Sequence, residues 1–192
     1  NKKRKTYAAM VSAVDDGVCL ILNKLRELKI EENTIVFFLS DNGGNENKGS
    51  YNGALRKGKG SLYEGGIRVP FAVQWKGKIP AGKVYDNPII SLDIFATVAE
   101  YAQVPTKKSL DGVNLIPYLN GKNKGIPHKE LYWRMYDKKS IAIRKRGPWH
   151  ASNLCPQSQL PPTKHGPCSW VSLCSWGPWH ASNLCPQSQL PP

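Results

Sequence analysis

Acidic residues are scarce in this chain of 192 residues: 14 Asp and Glu stand against 27 Lys and Arg, for a formal net charge of +13. Such an excess favours anionic partners. Nucleic acid is the first to weigh, but no helix-turn-helix, finger or aromatic RNA-binding pattern accompanies the basic clusters, so none is expected as a partner. No apolar run is long enough to span a bilayer and no signal peptide is visible, which excludes a membrane span within this segment. Cysteine is limited to five residues, Cys19 in a helical pattern and Cys155, Cys168, Cys174 and Cys185 near the far end. Zinc sites use tight Cys-x₂-Cys pairs, and here only His165 and Cys168 approach that spacing. An odd count with one cysteine in a helix also argues against a complete disulfide framework.

Composition changes abruptly at Gly147. The stretch Gly147–Pro162 recurs letter for letter as Gly177–Pro192, and the tail has no acidic residue and Lys164 as its only cation. Packed cores do not repeat in this way, and proline density without periodicity predicts an irregular or disordered appendage over 147–192.

Helical periodicity dominates the opposite end. Met10, Val11, Val14, Val18, Ile21, Leu22, Leu25 and Leu28 predict a long amphipathic helix from Tyr7 to Leu28, packed on a sheet. The run Lys2-Lys3-Arg4-Lys5 reads as its solvated front. Thr34 to Ser40 is β-branched and aromatic without polar alternation, the pattern of a strand covered on both faces of a parallel sheet. A second strand is expected over Phe71 to Trp75, and a helix through Leu92, Phe95, Val98 and Ala102, capped by Ser91 and closed by Pro105. Leu110 to Leu119 reads as a loop and a short helical turn. Glu130–Tyr136 and Lys139–Lys145 read as a hairpin turning at Asp137-Lys138.

Chemistry concentrates at two places. Asp41-Asn42-Gly43-Gly44 follows the first strand, at the carboxyl edge where open α/β sheets form their ligand crevice. A carboxylate beside a carboxamide offers hard oxygen ligands for Ca²⁺ or Mg²⁺, although the same four residues also make an ordinary turn. Beyond a polar loop, Gly58-Lys59-Gly60 delivers an ammonium toward the same edge. Together with Tyr7-Ala8-Ala9-Met10-Val11, Val14-Asp15-Asp16, Asn33-Thr34-Ile35-Val36, Leu55-Arg56, Glu64-Gly65-Gly66-Ile67-Arg68-Val69-Pro70 and Leu110-Asp111-Gly112, these stretches carry a resemblance. Tyr7 to Lys145 resembles the C-terminal half of a formylglycine-dependent, arylsulfatase-like sulfatase of the alkaline phosphatase-like superfamily.

The resemblance implies an α/β fold truncated at its N-terminus, with a small C-terminal antiparallel sheet. Residues 1–128 correspond to the later part of the catalytic domain, 129–146 to the start of the small antiparallel subdomain, and 147–192 to the tail. It implies hydrolysis of an O-sulfate ester, aryl or sugar, with Asp41 and Asn42 as two ligands of a divalent cation, usually Ca²⁺. Lys59 is implied to bind the sulfate group and assist the leaving oxygen, while Glu64 and Arg68 hold the loop. The nucleophile of such enzymes is a formylglycine made from the cysteine of a Cys-x-Pro-Ser-Arg segment, and no such segment occurs here, so this piece is expected to lack turnover alone. Lys57 is a departure, standing where the family usually has glycine. The family's settings imply a secreted, lysosomal or periplasmic location, addressed by a part preceding Asn1. Two other readings stay open: a non-catalytic binder of sulfated glycans, and a zinc-paired phosphoester enzyme, against which counts the lack of an Asp/His grouping near Asp41.

Overall fold

The structure, a computed structural model, describes residues 2–106, 109–135 and 140–145. The tail 147–192, with its repeated Cys and His residues, and the turn expected at Asp137-Lys138 lie outside the described residues.

Helix α1 (Lys2–Glu27) begins ahead of the expected Tyr7, and its basic first turn is solvent-exposed. It closes without glycine. Lys29 adopts φ 57°, its N–H bonds to Arg26 O at 3.0 Å, and Ile30 N reaches back to Leu25 O at 3.1 Å, the paired bonds that satisfy a helix's last carbonyls. The apolar stripe of α1 does not pack on a sheet as the periodicity suggests. Leu22 is its buried residue, whereas Met10, Val14 and Ile21 are 64 %, 55 % and 61 % exposed. Among the described elements, α1 touches the 3₁₀ turns at Glu31–Asn33 and Glu46–Lys48, and neither is broad enough to cover the stripe. A contiguous apolar face of this kind marks a surface made for burial against further protein.

Strand β1 (Val36–Leu39) pairs antiparallel with β2 (Phe71–Gln74), Val36 opposite Gln74 and Leu39 opposite Phe71. This corrects the parallel, doubly covered strand expected from the sequence, because all four β1 residues are half-buried. The cause is local. The chain returns from β1 through the short helix α2 (Glu64–Ile67), and Ser40 N bonds to Pro70 O at 3.2 Å, so the next strand lies directly alongside without a crossover. An apolar run without alternation carries no information on pairing direction. At the far end of β2, Trp75 donates from Nε1 to Glu32 O at 3.0 Å and meets Tyr101 edge-on at 4.7 Å. The Lys76 ammonium, hydrogen-bonded to Glu31, holds that carboxyl below the usual carboxylate range.

Helix α3 (Leu92–Tyr101) is amphipathic, and its start is organised by Asp93 instead of the expected Ser91 cap. The Ser91 side chain makes no capping bond. Asp93, fully buried, accepts from Ile90 N at 2.7 Å, Val113 N at 2.8 Å and His128 Nε2 at 2.9 Å. One carboxylate thereby joins the helix start to the loop before the short helix α4 (Ile116–Leu119) and to the approach to the hairpin. One turn later the buried Thr97 accepts from Leu115 N at 3.0 Å. The helix ends with Gln103 at φ 56° and Val104 N bonded to Ala99 O at 2.9 Å, so the chain has already turned before Pro105.

The last described elements, β3 (Glu130–Met135) and β4 (Ser140–Lys145), form an antiparallel hairpin with Trp133 opposite Ala142. Leu131, Trp133 and Met135 alternate inward with exposed Tyr132 and Arg134, the period of a strand covered on one face. Their inward side packs with Ile67, Ile90 and Leu62, so the hairpin is seated on the loop that follows Lys59. A second cluster of Ile89, Leu115 and Leu119 packs under Phe71 and Val73 of β2.

Candidate active site

The end of β1 and the Lys59 loop are joined by their backbones. Gly43 N donates to Gly66 O at 2.9 Å, and Lys59 N donates to Gly44 O at 3.1 Å. Glycine is required at this junction because nothing larger fits: a Cβ on Gly43 would lie 1.7 Å from Gly65 O, and one on Gly58 would lie 2.2 Å from Gly44 O. The turn residues that sequence reasoning treats as conformational freedom are here a matter of close approach.

Asn52 is the organiser that sequence reasoning missed. Its carboxamide oxygen accepts from Gly44 N at 2.8 Å, and its Nδ2 donates to Gly44 O at 3.1 Å and Lys57 O at 3.2 Å. A side chain that pairs both backbone groups of one glycine mimics a strand neighbour. It fixes the Asp41–Gly44 turn against the lysine loop, and nothing in the local sequence distinguishes it from other polar loop residues.

Asp41 is exposed and Asn42 half-buried at the tip of β1. Asn42 Nδ2 donates to the Asp41 carboxylate, and Ser40 Oγ donates to Asn42 O at 2.8 Å, so the turn is braced from inside. Asp41 and Asn42 are neighbours in one turn, and a carboxylate and a carboxamide carry the hard oxygens that Ca²⁺ or Mg²⁺ takes as part of a shell of six or so. They fit as two ligands of a larger set: among the described residues no group of three or more His, Cys, Asp and Glu is placed to hold a metal ion.

Lys59 is exposed and lines a cavity of about 400 Å³. Lys57, Leu62 and Tyr63 line it from the same loop and Met135 and Ile141 from the hairpin, while Asp41 and Asn42 are not among its lining residues. Main-chain bonds therefore join the lysine loop to Gly43 and Gly44, the residues that follow Asp41 and Asn42, while the Lys59 side chain lines a cavity that faces the hairpin. Ser61 Oγ closes that loop by donating to Gly58 O at 2.9 Å. Lys57 is held at φ 63°, a left-handed conformation that costs a side-chain-bearing residue roughly 1–2 kcal/mol.

Behind the loop, Glu64 accepts from Arg68 Nη1 at 2.9 Å and from Arg144 Nη1 at 2.6 Å. The Glu64–Arg68 pair is the loop-holding ion pair expected from the sequence. Arg144 is an addition, because a partner on β4 is invisible to local spacing. The Arg56 guanidinium stacks over the Tyr63 ring with 4.2 Å to its centroid, fixing both sides of the Lys57–Gly60 segment.

Comparison with known proteins adds an independent line. The family model described as Sulfatase matches residues 1–104. The uncharacterized sulfatase YdeN of Escherichia coli (strain K12) is 40 % identical over 130 residues, covering 66 % of this chain and 23 % of that protein. Human steryl-sulfatase is 38 % identical over 136 residues, with the same two coverages of 66 % and 23 %. N-acetylgalactosamine-6-sulfatase of Canis lupus familiaris is 38 % identical over 125 residues, covering 62 % of this chain and 24 % of that protein. Among solved structures, the crystal structure of Ps i-CgsB in complex with k-i-k-neocarrahexaose superposes with a TM-score of 0.70 at 38 % identity, covering 80 % of this chain and 37 % of that one. The chain spans less than a quarter of the length of these curated relatives.

Proposed function

This chain belongs to the sulfatase family, and on that premise we propose that it is the later part of a sulfuric ester hydrolase that grips an O-sulfate ester between the Asp41-Asn42 turn and the Lys59 loop. Its fold is that of the alkaline phosphatase-like sulfatases, in which the described residues form helices and small antiparallel sheets. The observation that carries the functional reading is the 3.1 Å bond from Lys59 N to Gly44 O, which ties the lysine's own backbone to the turn bearing both candidate ligands.

Chemistry follows from charge. Lys59 is a compact ammonium that neutralises negative charge on the sulfuryl oxygens and supplies a proton to the departing ester oxygen as the S–O bond breaks. A divalent cation held by Asp41 and Asn42 supplies Lewis-acid stabilisation to the same oxygens when bound. The glycine-lined junction and the Asn52 carboxamide keep the two loops in register so that these charges need not reorganise. A formylglycine nucleophile has no Cys-x-Pro-Ser-Arg source in this sequence, so the reading assigns the chain recognition of the ester without turnover by itself. The exposed stripe of α1 supports the same division, because it is a face shaped to be buried by more of the fold. Among the described residues no helix is long and apolar enough to cross a membrane, and the reading places the protein in a secreted, lysosomal or periplasmic setting.

Titration of the whole chain with a nitrophenyl sulfate tests this. Ca²⁺ is expected to raise the affinity, and Lys59→Ala to lower it roughly ten- to a hundredfold, the loss of one charge-assisted contact worth roughly 1.5–3 kcal/mol. Asp41→Ala is expected to abolish the Ca²⁺ effect. If instead the chain is retained on heparin in a salt-sensitive manner, indifferent to chelator and to Asp41→Ala, it is a non-catalytic binder of sulfated glycans.

A further inference from the structure

We propose that Lys57 is a specificity residue: with Lys59 it forms a paired-cation subsite that selects esters carrying a second anionic group beside the sulfate held by Lys59. The inference rests on the sulfatase reading of the Lys59 loop and names the substrate class it takes. Lys57 sits at φ 63°, a conformation glycine adopts freely and lysine does not. The loop dictates that conformation, since the Lys57 carbonyl accepts from Asn52 Nδ2 at 3.2 Å and would stand 1.8 Å from a Cβ on Gly65. Lys29 and Gln103 share this backbone conformation but close helices, whereas Lys57 stands in a loop and lines a cavity, so the position of its side chain points to a use.

The surroundings specify what that use is. Lys57 and Lys59 line the same cavity, and among the described residues neither ammonium has a carboxylate partner within ion-pair distance. Residues two apart have Cα atoms at most about 7 Å from one another, so two flexible lysine stems from this loop reach anionic groups on neighbouring positions of one sugar or one aryl ring. Leu62, Tyr63, Met135 and Ile141 give the cavity an apolar wall suited to the face of such a ring. No acidic residue is among those described as lining it, so a second anion meets no repulsion there. A monoanionic ester uses one cation and leaves the other solvated. A dianionic ester uses both.

Isothermal titration of the whole chain in Ca²⁺ buffer, with a disaccharide carrying one sulfate and the same disaccharide carrying two, tests the inference. The unaltered chain is expected to prefer the disulfated ligand by about tenfold, the equivalent of one further charge-assisted contact. Lys57→Gly suits the φ 63° backbone, so the fold is kept, and it is expected to weaken the disulfated ligand far more than the monosulfated one, bringing the two affinities within about twofold. Lys57→Asn, also tolerant of the left-handed region, is expected to behave alike. Preference retained in both variants, or equal weakening of both ligands, overturns the inference. If that occurs while Lys59→Ala still weakens both ligands, the sulfatase reading of Lys59 stands without it. If Lys59→Ala weakens neither, both fall.

Discussion

Asp93→Ala is expected to remove about 3–5 kcal/mol of folding stability, the cost of leaving the partners of a buried charge unpaired. Net stabilities of domains lie at about 5–15 kcal/mol, so the variant is expected to be largely unfolded or to melt near ambient temperature. The reason is the number of groups one carboxylate serves. With the side chain gone, Ile90 N and Val113 N lose their acceptor, and His128, nearly buried beside Asp93, loses its partner. Each backbone N–H is an obligatory donor that water reaches poorly at this depth. Asp93→Asn keeps one acceptor oxygen but turns an amide donor toward the other partners, so it is expected to recover less than half of the loss. Urea denaturation of the three proteins decides this. A midpoint for Asp93→Ala within experimental error of the unaltered chain would mean that the α3 start is held by something else.

The second large effect is expected at the loop junction. Gly43→Ala places a methyl 1.7 Å from Gly65 O and 2.9 Å from Gly66 Cα, both backbone atoms that cannot swing away. Relief requires the Asp41–Gly44 turn and the α2 loop to part, breaking the 2.9 Å bond from Gly43 N to Gly66 O. The stability cost is expected at or above the upper end of the roughly 1–3 kcal/mol typical of overpacking. Sulfate-ester affinity is expected to fall at least as far as with Lys59→Ala, because both charged loops are displaced together. Gly77 is the control: a methyl there would meet nothing within 4 Å, and the strain that its φ of 75° imposes on an alanine stays local, away from both loops. Parallel titration and urea curves separate the two effects. A Gly43→Ala chain that binds the ester normally would show that the loops need not touch to form the site.

How much of this is legible in the sequence depends on the range over which each feature is written. The first helix and the Glu130 hairpin are encoded by short-range periodicity and the two strands flanking the Asp41–Gly66 segment by short apolar runs, and they stand close to where these patterns put them. The pairing direction of β1 is not legible, because an unbroken apolar run is compatible with either neighbour. The exposure of Met10, Val14 and Ile21 is not legible either, since amphipathicity states that a face wants burial but not what buries it. At the candidate site, flanking glycines single out Asp41, Asn42 and Lys59 in the sequence. The residues that join them do not. Asn52 acts through two bonds to Gly44, and Arg144 reaches Glu64 from eighty positions away, contacts for which no local pattern exists. Asp93 is hidden for a related reason: Ser91 matches the capping rule at the helix start, while the carboxylate two residues on takes the backbone donors of Ile90 and of a distant loop.

The central claim is that the Asp41-Asn42 turn and Lys59 act on one ester as a unit. The measurement that tests it most directly is a double-mutant cycle on nitrophenyl sulfate affinity in Ca²⁺ buffer, using Asp41→Ala, Lys59→Ala and the pair. Shared contact with one ligand predicts a coupling of about 1 kcal/mol or more between the two substitutions. Losses that add to within about 0.3–0.5 kcal/mol would mean that the two side chains serve separate places, and would contradict the account.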